Sequence, residues 1–420
     1  MTRAVLSLAF LLSACQQPSG APYAKEVAAA VPAIEKAVGL KFKTPPTVQS
    51  RSRDEVRAFL EKKFEEDQPA LELAGSERAY KLFGLLPDTL DLRRFMLTLL
   101  AEQVIGYYDP STKVLYVVSG GGASKSGPSP EMLNVTITHE LVHALQDQYL
   151  NLDSLAKQRG DNDRQAAAQA VMEGQATFEQ LSAMLGGGNF AMNLPGGWDR
   201  VRQTIRESQS SMPVFANAPM LVQETLLFPY LSGAEFVRRY KEKRPGQVPY
   251  QSMPVSTSQV MHPERLLDSA VTPWRVELPK PEGATLTYSN NLGEFETRLF
   301  LYQHLGDVGQ AARGASGWTG DRYDVVNTPQ GAGLVWVTVW DSPVSAASFR
   351  DLAEQTLEKR FGVTQGSGGT GAARRFAAKG RQLELTATTI DGHPAVLYVD
   401  VPAGASTRVV DPARVKLHKS

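Results

Sequence analysis

His139-Glu140-Leu141-Val142-His143 sets two histidines four residues apart with a glutamate directly after the first. On a helix that spacing puts both imidazoles on one face, one turn apart, where they can grip a single metal ion; it is the HExxH zinc-binding signature. Glu140 lies about 100° round the helix from His139, outside the histidine stripe yet close enough to reach a water on that ion as a general base. A catalytic zinc ordinarily has three protein ligands and keeps its fourth position for water, so one more donor must come from elsewhere. The run after His143, Ala144-Leu145-Gln146-Asp147-Gln148-Tyr149, holds no third histidine. The next good candidate is Glu173 in Val171-Met172-Glu173-Gly174-Gln175-Ala176-Thr177, with Glu179 and Glu224 as rival donors.

These residues need rigid elements to hold them. Ser129-Pro130-Glu131 reads as a helix start, with a hydroxyl at the N-cap, proline at the first helical position and a carboxylate in the first turn; the helix then runs to about Tyr149. At about 100° per residue, Leu133, Ile137, Leu141, Ala144 and Leu145 form one apolar arc and the two histidines face the opposite side. A second helix spans roughly 164–185, where alanines with Val171, Phe178 and Leu185 make a packing face and Glu173 turns away from it. Upstream, helices are expected near 24–38, 53–66, 77–86 and 88–104, with an extended piece near 47–50. Residues 104–108 and 113–119, joined by Asp109-Pro110-Ser111-Thr112, read as a β-hairpin that leads through a Gly/Ser-rich stretch into the HExxH helix. Gly186-Gly187-Gly188 and Pro195-Gly196-Gly197 bracket a flexible loop that could cover a cleft; Phe190, Met192 and Trp198 in it are packing residues or substrate contacts.

The chain here resembles the gluzincins, metallopeptidases that take two histidines from HExxH on one helix and a glutamate from a following helix. The strings HELVHALQDQ, EGQAT and GYYDPSTKVLYVV resemble more closely those of a group of bacterial predicted zinc peptidases, over about residues 100–275. Position by position, the resemblance implies His139, His143 and Glu173 as zinc ligands and Glu140 as base. Thermolysin-like members carry an aspartate one turn after the ligand glutamate, bonded to a metal histidine; Thr177 stands there in this chain, so the support of the ligands must differ, with Asp147 or a backbone carbonyl as candidates. In zincin-type folds a strand before the HExxH helix borders the cleft and pairs with extended substrate, and residues 114–118 are the candidate. Residues 256–264 match a stretch near the end of the peptidase region in the resembling proteins. Zinc peptidases need a donor for the oxyanion, and His262 is the first choice, with Tyr108 and Tyr230 behind it; alternatively His262 caps a turn before Pro263.

Met1-Thr2-Arg3, the apolar run 4–12 and Leu12-Ser13-Ala14-Cys15 resemble a bacterial lipoprotein signal, which implies cleavage before Cys15 and lipid on it. Cys15 is the 1 cysteine of 420 residues, so structural disulfides and thiolate zinc sites are excluded. Lys+Arg and Asp+Glu both total 44, which gives no net field for nucleic acid or an anionic membrane, and 42% hydrophobic content supports a large core. No segment after the signal reaches transmembrane length. From about residue 279 the chemistry thins: strands near 334–340, 383–389 and 395–401, a helix near 345–361 and a Gly/Ser/Thr-rich loop 362–371 suggest a separate module, and His304, His393 and His418 show no ligand spacing.

The expected fold class is α+β: a signal (1–14), a lipidated tether (15–22), a zincin-like, mainly helical peptidase domain with a small β-sheet (23–278) and a smaller α+β domain (279–420). The expected function is hydrolysis of peptide bonds by a Zn2+-dependent, lipid-anchored metallopeptidase of the bacterial cell envelope, acting on peptide or protein and not on nucleic acid. The alternatives are a non-catalytic zinc-binding lipoprotein serving as a binding or envelope-assembly factor, and a zinc hydrolase of non-peptide amides such as cell-wall material.

Overall fold

A computed structural model of the chain describes residues 22–67, 69–119, 129–156, 159–184, 197–363 and 373–419. The signal, Cys15 and most of the glycine-bracketed loop, including Phe190 and Met192, lie outside the described residues. The class is α+β, as expected.

Three strands stand beside the HExxH helix. Strand β1 (Thr47–Ser52) runs parallel to β3 (Val114–Ser119), and β2 (Gly106–Asp109) pairs antiparallel on the other side of β3. The β2–β3 hairpin is closed by Asp109, whose Oδ1 accepts from the Ser111 amide and hydroxyl and whose Oδ2 accepts from the Thr112 hydroxyl. Such Asx-type bonds hold a chain reversal without a sheet partner. Because β3 is central, both its backbone edges are occupied; the edge strands are β1 and β2, and β2 is the one packed beside α5. This corrects the assignment of 114–118 to substrate pairing: the most continuous apolar run marks the middle of a sheet, and the edge strands are the less apolar ones.

Helix α1 (Ala24–Val38) and the HExxH helix, α5 (Pro130–Asp147), pack against one face of this sheet. Ser129 caps α5 by accepting from the Met132 amide, with Pro130 in the first turn. Ile137, Leu141 and Leu145 of the predicted arc are buried with Leu115 and Val117 of β3 and with Val27, Ile34 and Val38 of α1. At about 1.5–3 kcal/mol per buried side chain, this arc fixes the helix firmly enough to present its other face at a defined angle. Helix α2 (Arg53–Asp67) follows β1 and brings Phe59 onto Tyr107 of β2, stacked at 4.5 Å.

The next helices differ in extent from the pattern-based expectation. Helix α3 is Ala70–Phe83 and α4 is Leu92–Gln103, the latter capped by Asp91. Beyond α5 come the short α6 (Leu152–Ala156) and the long α7 (Asn162–Met184). Helices α8 (Gly197–Ser210), α9 (Pro213–Ala216) and α10 (Met220–Phe228) lead into a π-helical turn, Pro229–Gly233, continued by α11 (Ala234–Lys243) and the short α12 (Thr257–Met261) and α13 (Glu264–Leu267).

The C-terminal part is a six-stranded antiparallel sheet ordered β5-β6-β7-β10-β9-β8, made of Thr285–Asn290, Trp318–Thr328, Gly331–Trp340, Ala373–Ala378, Arg381–Ile390 and His393–Pro402 as β5 to β10. Helices α14 (Gly293–Leu305), α15 (Val308–Ala315) and α16 (Pro343–Phe361) accompany it. One face of the sheet, with Tyr323, Trp336 and Tyr398, joins the same apolar core as α3, α7 and α10; Phe83 of α3 meets Trp336 edge-on at 5.2 Å. The other face is a valine-rich strip covered by the segments around 274–284 and 405–417. There β4 (Trp274–Glu277) pairs with β11 (Lys416–Lys419), so a strand from before residue 279 is seated on the C-terminal part. Among the described residues no helix is long and apolar enough to cross a membrane.

Candidate metal centre

Helices α5 and α7 pack together, and where they meet three side chains converge. His139 Nε2 lies 3.1 Å from Glu173 Oε2, His143 Nε2 lies 3.2 Å from His139 Nε2, and His143 Nε2 lies 3.4 Å from Glu173 Oε2. Two imidazole nitrogens and a carboxylate oxygen at these separations form one face of a tetrahedron. For metal–ligand distances of about 2.0–2.1 Å, the edge of that tetrahedron is about 3.3–3.4 Å. The donors therefore fit a small divalent ion on donor type and on spacing. The side chains are 14%, 12% and 21% exposed for His139, His143 and Glu173, so the cluster is partly open to solvent and not sealed in the core.

The outward ring nitrogens are held by amides. His139 Nδ1 pairs with Gln180 Oε1 at 3.0 Å, and His143 Nδ1 pairs with Gln146 Oε1 at 2.9 Å. An amide oxygen only accepts, so each imidazole keeps a proton on Nδ1, and in its neutral form turns a lone pair on Nε2 toward the cluster. Gln146 is in turn fixed through its Nε2, which donates to the Met172 carbonyl and Gln175 Oε1. The expected support from Asp147 is not what the structure has. Asp147 accepts from the Tyr108 hydroxyl at 2.8 Å, from Lys113 Nζ at 2.6 Å and from the Leu152 amide, and so ties the β-hairpin to the end of α5. Neither glutamine was found from the sequence. The available signals were spacing alone: Gln146 follows His143 by three residues, and Gln180 follows Glu173 by two turns of α7.

Glu140 stays out of the triangle. Its Oε2 accepts from the Tyr108 amide at 2.8 Å, so the outward-facing N–H of edge strand β2 orients it. Burial pushes its pKa up, against the pull of the neighbouring imidazoles. Burial would also raise Glu173, but the two histidines hold it well below the usual carboxylate range. His143 is carried the other way: burial opposes its charge, yet Glu173 raises it to about 9 in the metal-free arrangement.

Tyr230, in the π-helical turn, stacks on the His139 ring with centroids 6.1 Å apart. The negative charge of Glu173, then burial, raise its pKa well above that of free tyrosine, so the phenol remains a donor. A close backbone approach puts it there. A Cβ on Gly174 would collide with the main chain of Gly233, and a Cβ on Gly233 with the Ala170 carbonyl. The glycine beside the ligand glutamate thus lets α7 touch the turn that carries Tyr230.

The remaining candidates lie elsewhere. His262 is not brought to the triad: its Nε2 pairs with buried Glu294 at 2.6 Å, Arg265 shares that carboxylate, and its own amide closes the end of α12. The Tyr108 hydroxyl is engaged by Asp147. Glu179 is buried on Lys241 and Glu224 pairs with Arg206, so neither rival donor joins the cluster. His393 packs on Trp274 and His418 pairs with Glu277, while burial lowers His304 to about 4.

Among known proteins, a family model described as "Domain of unknown function (DUF8575)" matches residues 284–402, the C-terminal sheet and its helices. No curated protein matches the chain. A solved structure described as "Crystal structure of a putative hydrolase with a novel fold from Chloroflexus aurantiacus" is similar at 16% identity with a TM-score of 0.36, covering 61% of this chain and 92% of that one.

Proposed function

We propose that the chain is a zinc metallopeptidase, tethered by lipid on Cys15 to a membrane of the bacterial envelope, with Glu140 as general base. The observation that carries this reading is the triangle of His139, His143 and Glu173 with a separate, backbone-oriented carboxylate beside it. Imidazole nitrogens favour zinc over magnesium or calcium, which take oxygen donors. Zinc bound there would polarise a carbonyl as a Lewis acid and acidify a water at its open position. Glu140, held by the Tyr108 amide, takes the water's proton and returns it to the leaving amine; its raised pKa suits a group that must keep the proton between the two steps. The Tyr230 phenol donates to the oxyanion that develops on the carbonyl, the role that His262 cannot reach. The outer edge of β2 runs past Glu140, and its backbone groups other than the Tyr108 amide would pair with an extended substrate, which favours peptides over small amides.

The test is hydrolysis of a mixed peptide library by zinc-loaded protein. Cleavage should stop on chelation and return with zinc; a zinc-loaded protein that cleaves nothing counts against a peptidase. Tyr230→Phe should keep the metal and lower kcat by about 10²–10³, the usual cost of one oxyanion donor, with KM little changed. An unaltered kcat would remove the phenol from the mechanism. The tether rests on the Leu12-Ser13-Ala14-Cys15 pattern. Mass spectrometry of protein from a bacterial host should find acyl groups on Cys15, absent in Cys15→Ser; an unacylated wild type means the tether is wrong.

A further inference from the structure

The two elements that bring Glu173 and Tyr230 to the centre, α7 and the turn beginning at Pro229, also wall a cavity of about 320 Å³. Gln165 and Gln169 line it from α7, on the helix face that carries Glu173 one and two turns further on. Its walls are mixed: Leu92 and Met96 of α4 and Leu221 and Val222 of α10 are among the apolar residues, and Asn162, Thr225 and Asn290 are among the polar ones. Into this lining comes Glu296 of α14, 9% exposed, whose two carboxylate oxygens share one donor, the Tyr80 hydroxyl, at 2.9 and 3.1 Å. Among the described residues no cation pairs with Glu296, whose hydrogen-bond partner is the Tyr80 hydroxyl. Arg159, the one cation among the lining residues, turns to the Glu66 carbonyl.

A buried carboxylate with one neutral donor lacks what an ionised carboxylate removed from water requires, a cation with hydrogen bonds to give. We propose that this cavity is a subsite for a cationic group of the substrate, a lysine or arginine side chain or an α-amine, with Glu296 as its counter-charge. At about 1.5 Å of rise per residue, the α7 lining residues lie about 6 to 16 Å along the helix from Glu173. An extended peptide advances about 3.3 Å per residue, so the cation belongs about two to five residues from the scissile bond. That it sits on a peptide rests on the peptidase reading; the subsite itself does not.

The groups facing Glu296 are Tyr80 from α3, Asp163 from α7, Asp321 and Tyr323 from β6 and Tyr288 from β5, none of them cationic. Burial, with the charges of Asp321 and Asp163, raises Glu296 to about 8. Without a ligand the carboxyl is therefore mostly protonated at neutral pH, and an arriving cation favours its ionised form.

The experiment is calorimetric titration of chelator-treated protein, free of metal that an amine might bind, with n-pentylamine and with 1-pentanol as its neutral counterpart. The amine should bind at least tenfold tighter than the alcohol, and more tightly as pH rises from 6 to 9 while it stays protonated. Glu296→Gln should lower its affinity about 10- to 100-fold, the range of a hydrogen bond to a charged group. Ala166→Phe, which fills the cavity from α7 and spares the carboxyl, should abolish binding of both probes. Equal affinity for amine and alcohol, unchanged affinity in Glu296→Gln, or no binding of the amine to wild type overturns the proposal. With zinc restored, peptides carrying lysine two to five residues from the cleaved bond should exceed norleucine peptides in kcat/KM, and Glu296→Gln should erase the difference. If no peptide is cleaved while the amine binds as described, the peptidase reading fails and the cation subsite stands.

Discussion

Glu140→Gln is expected to keep one zinc per chain and to slow peptide hydrolysis by about 10²–10⁴, the usual contribution of a general base. The metal should be retained because Glu140 supplies no atom to the triangle of His139, His143 and Glu173. The local backbone should hold as well. Glutamine still presents an oxygen to the Tyr108 amide, which keeps β2 against α5, and only the capacity to accept the water's proton is lost. Zinc content and kcat/KM measured on the same preparation separate these outcomes. A zinc-loaded Glu140→Gln protein as fast as wild type ends the proposed mechanism. A protein that used zinc only to hold its shape or to bind a partner in the envelope would show no dependence on this residue.

The second large effect concerns the metal itself. Protein purified without added zinc should carry close to one ion, and His139→Ala or His143→Ala should carry almost none, since two remaining donors do not hold a catalytic zinc. Glu173→Gln should weaken binding and leave the fold, because the carboxylate contributes to the cluster and little to the core. Binding should also expel protons. In the metal-free arrangement His143 has a pKa of about 9 through its contact with Glu173, so near neutral pH it is charged and must become neutral to act as ligand. Zinc affinity should accordingly rise from pH 6 toward pH 9 and level off above it, with about one proton released per ion at pH 7. Titration in buffers of different ionisation enthalpy measures that number. Full metal content in both histidine variants would remove the site.

What the sequence made legible was the part in which local pattern and chemistry coincide. The cap at Ser129, the arc of Ile137, Leu141 and Leu145, and the turn at Asp109 each follow from rules acting within a few residues, and each is found. The histidine spacing and the separate glutamate of a following helix likewise describe the cluster. Residues whose role depends on contacts distant in sequence were not legible. His262 looked suited to the oxyanion because of its residue type, but Glu294, 32 residues further on, already holds it. Which of the three strands lies at the centre of the sheet depends on β1 pairing with a strand more than sixty residues later. Helix α14 escaped notice for a related reason: Phe295, Leu299, Phe300 and Leu301 are buried along with Glu294 and Thr297, so no single apolar stripe advertises it.

The strip of valines on the outer face of the six-stranded sheet bears on how the C-terminal part can be handled. Residues 284–402 enclose all six strands and all three helices, yet the cover over Val335, Val337, Val339, Val399 and Val401 comes from Val276, Ala405, Val409, Val410 and Val415, which lie outside those limits on both sides. A fragment cut at 284 and 402 would leave that strip wet, a contiguous β-branched surface of the kind that drives chains to aggregate. Extending the fragment back to Trp274 and forward to Lys419 restores the β4–β11 pair and closes the strip with the chain's own residues.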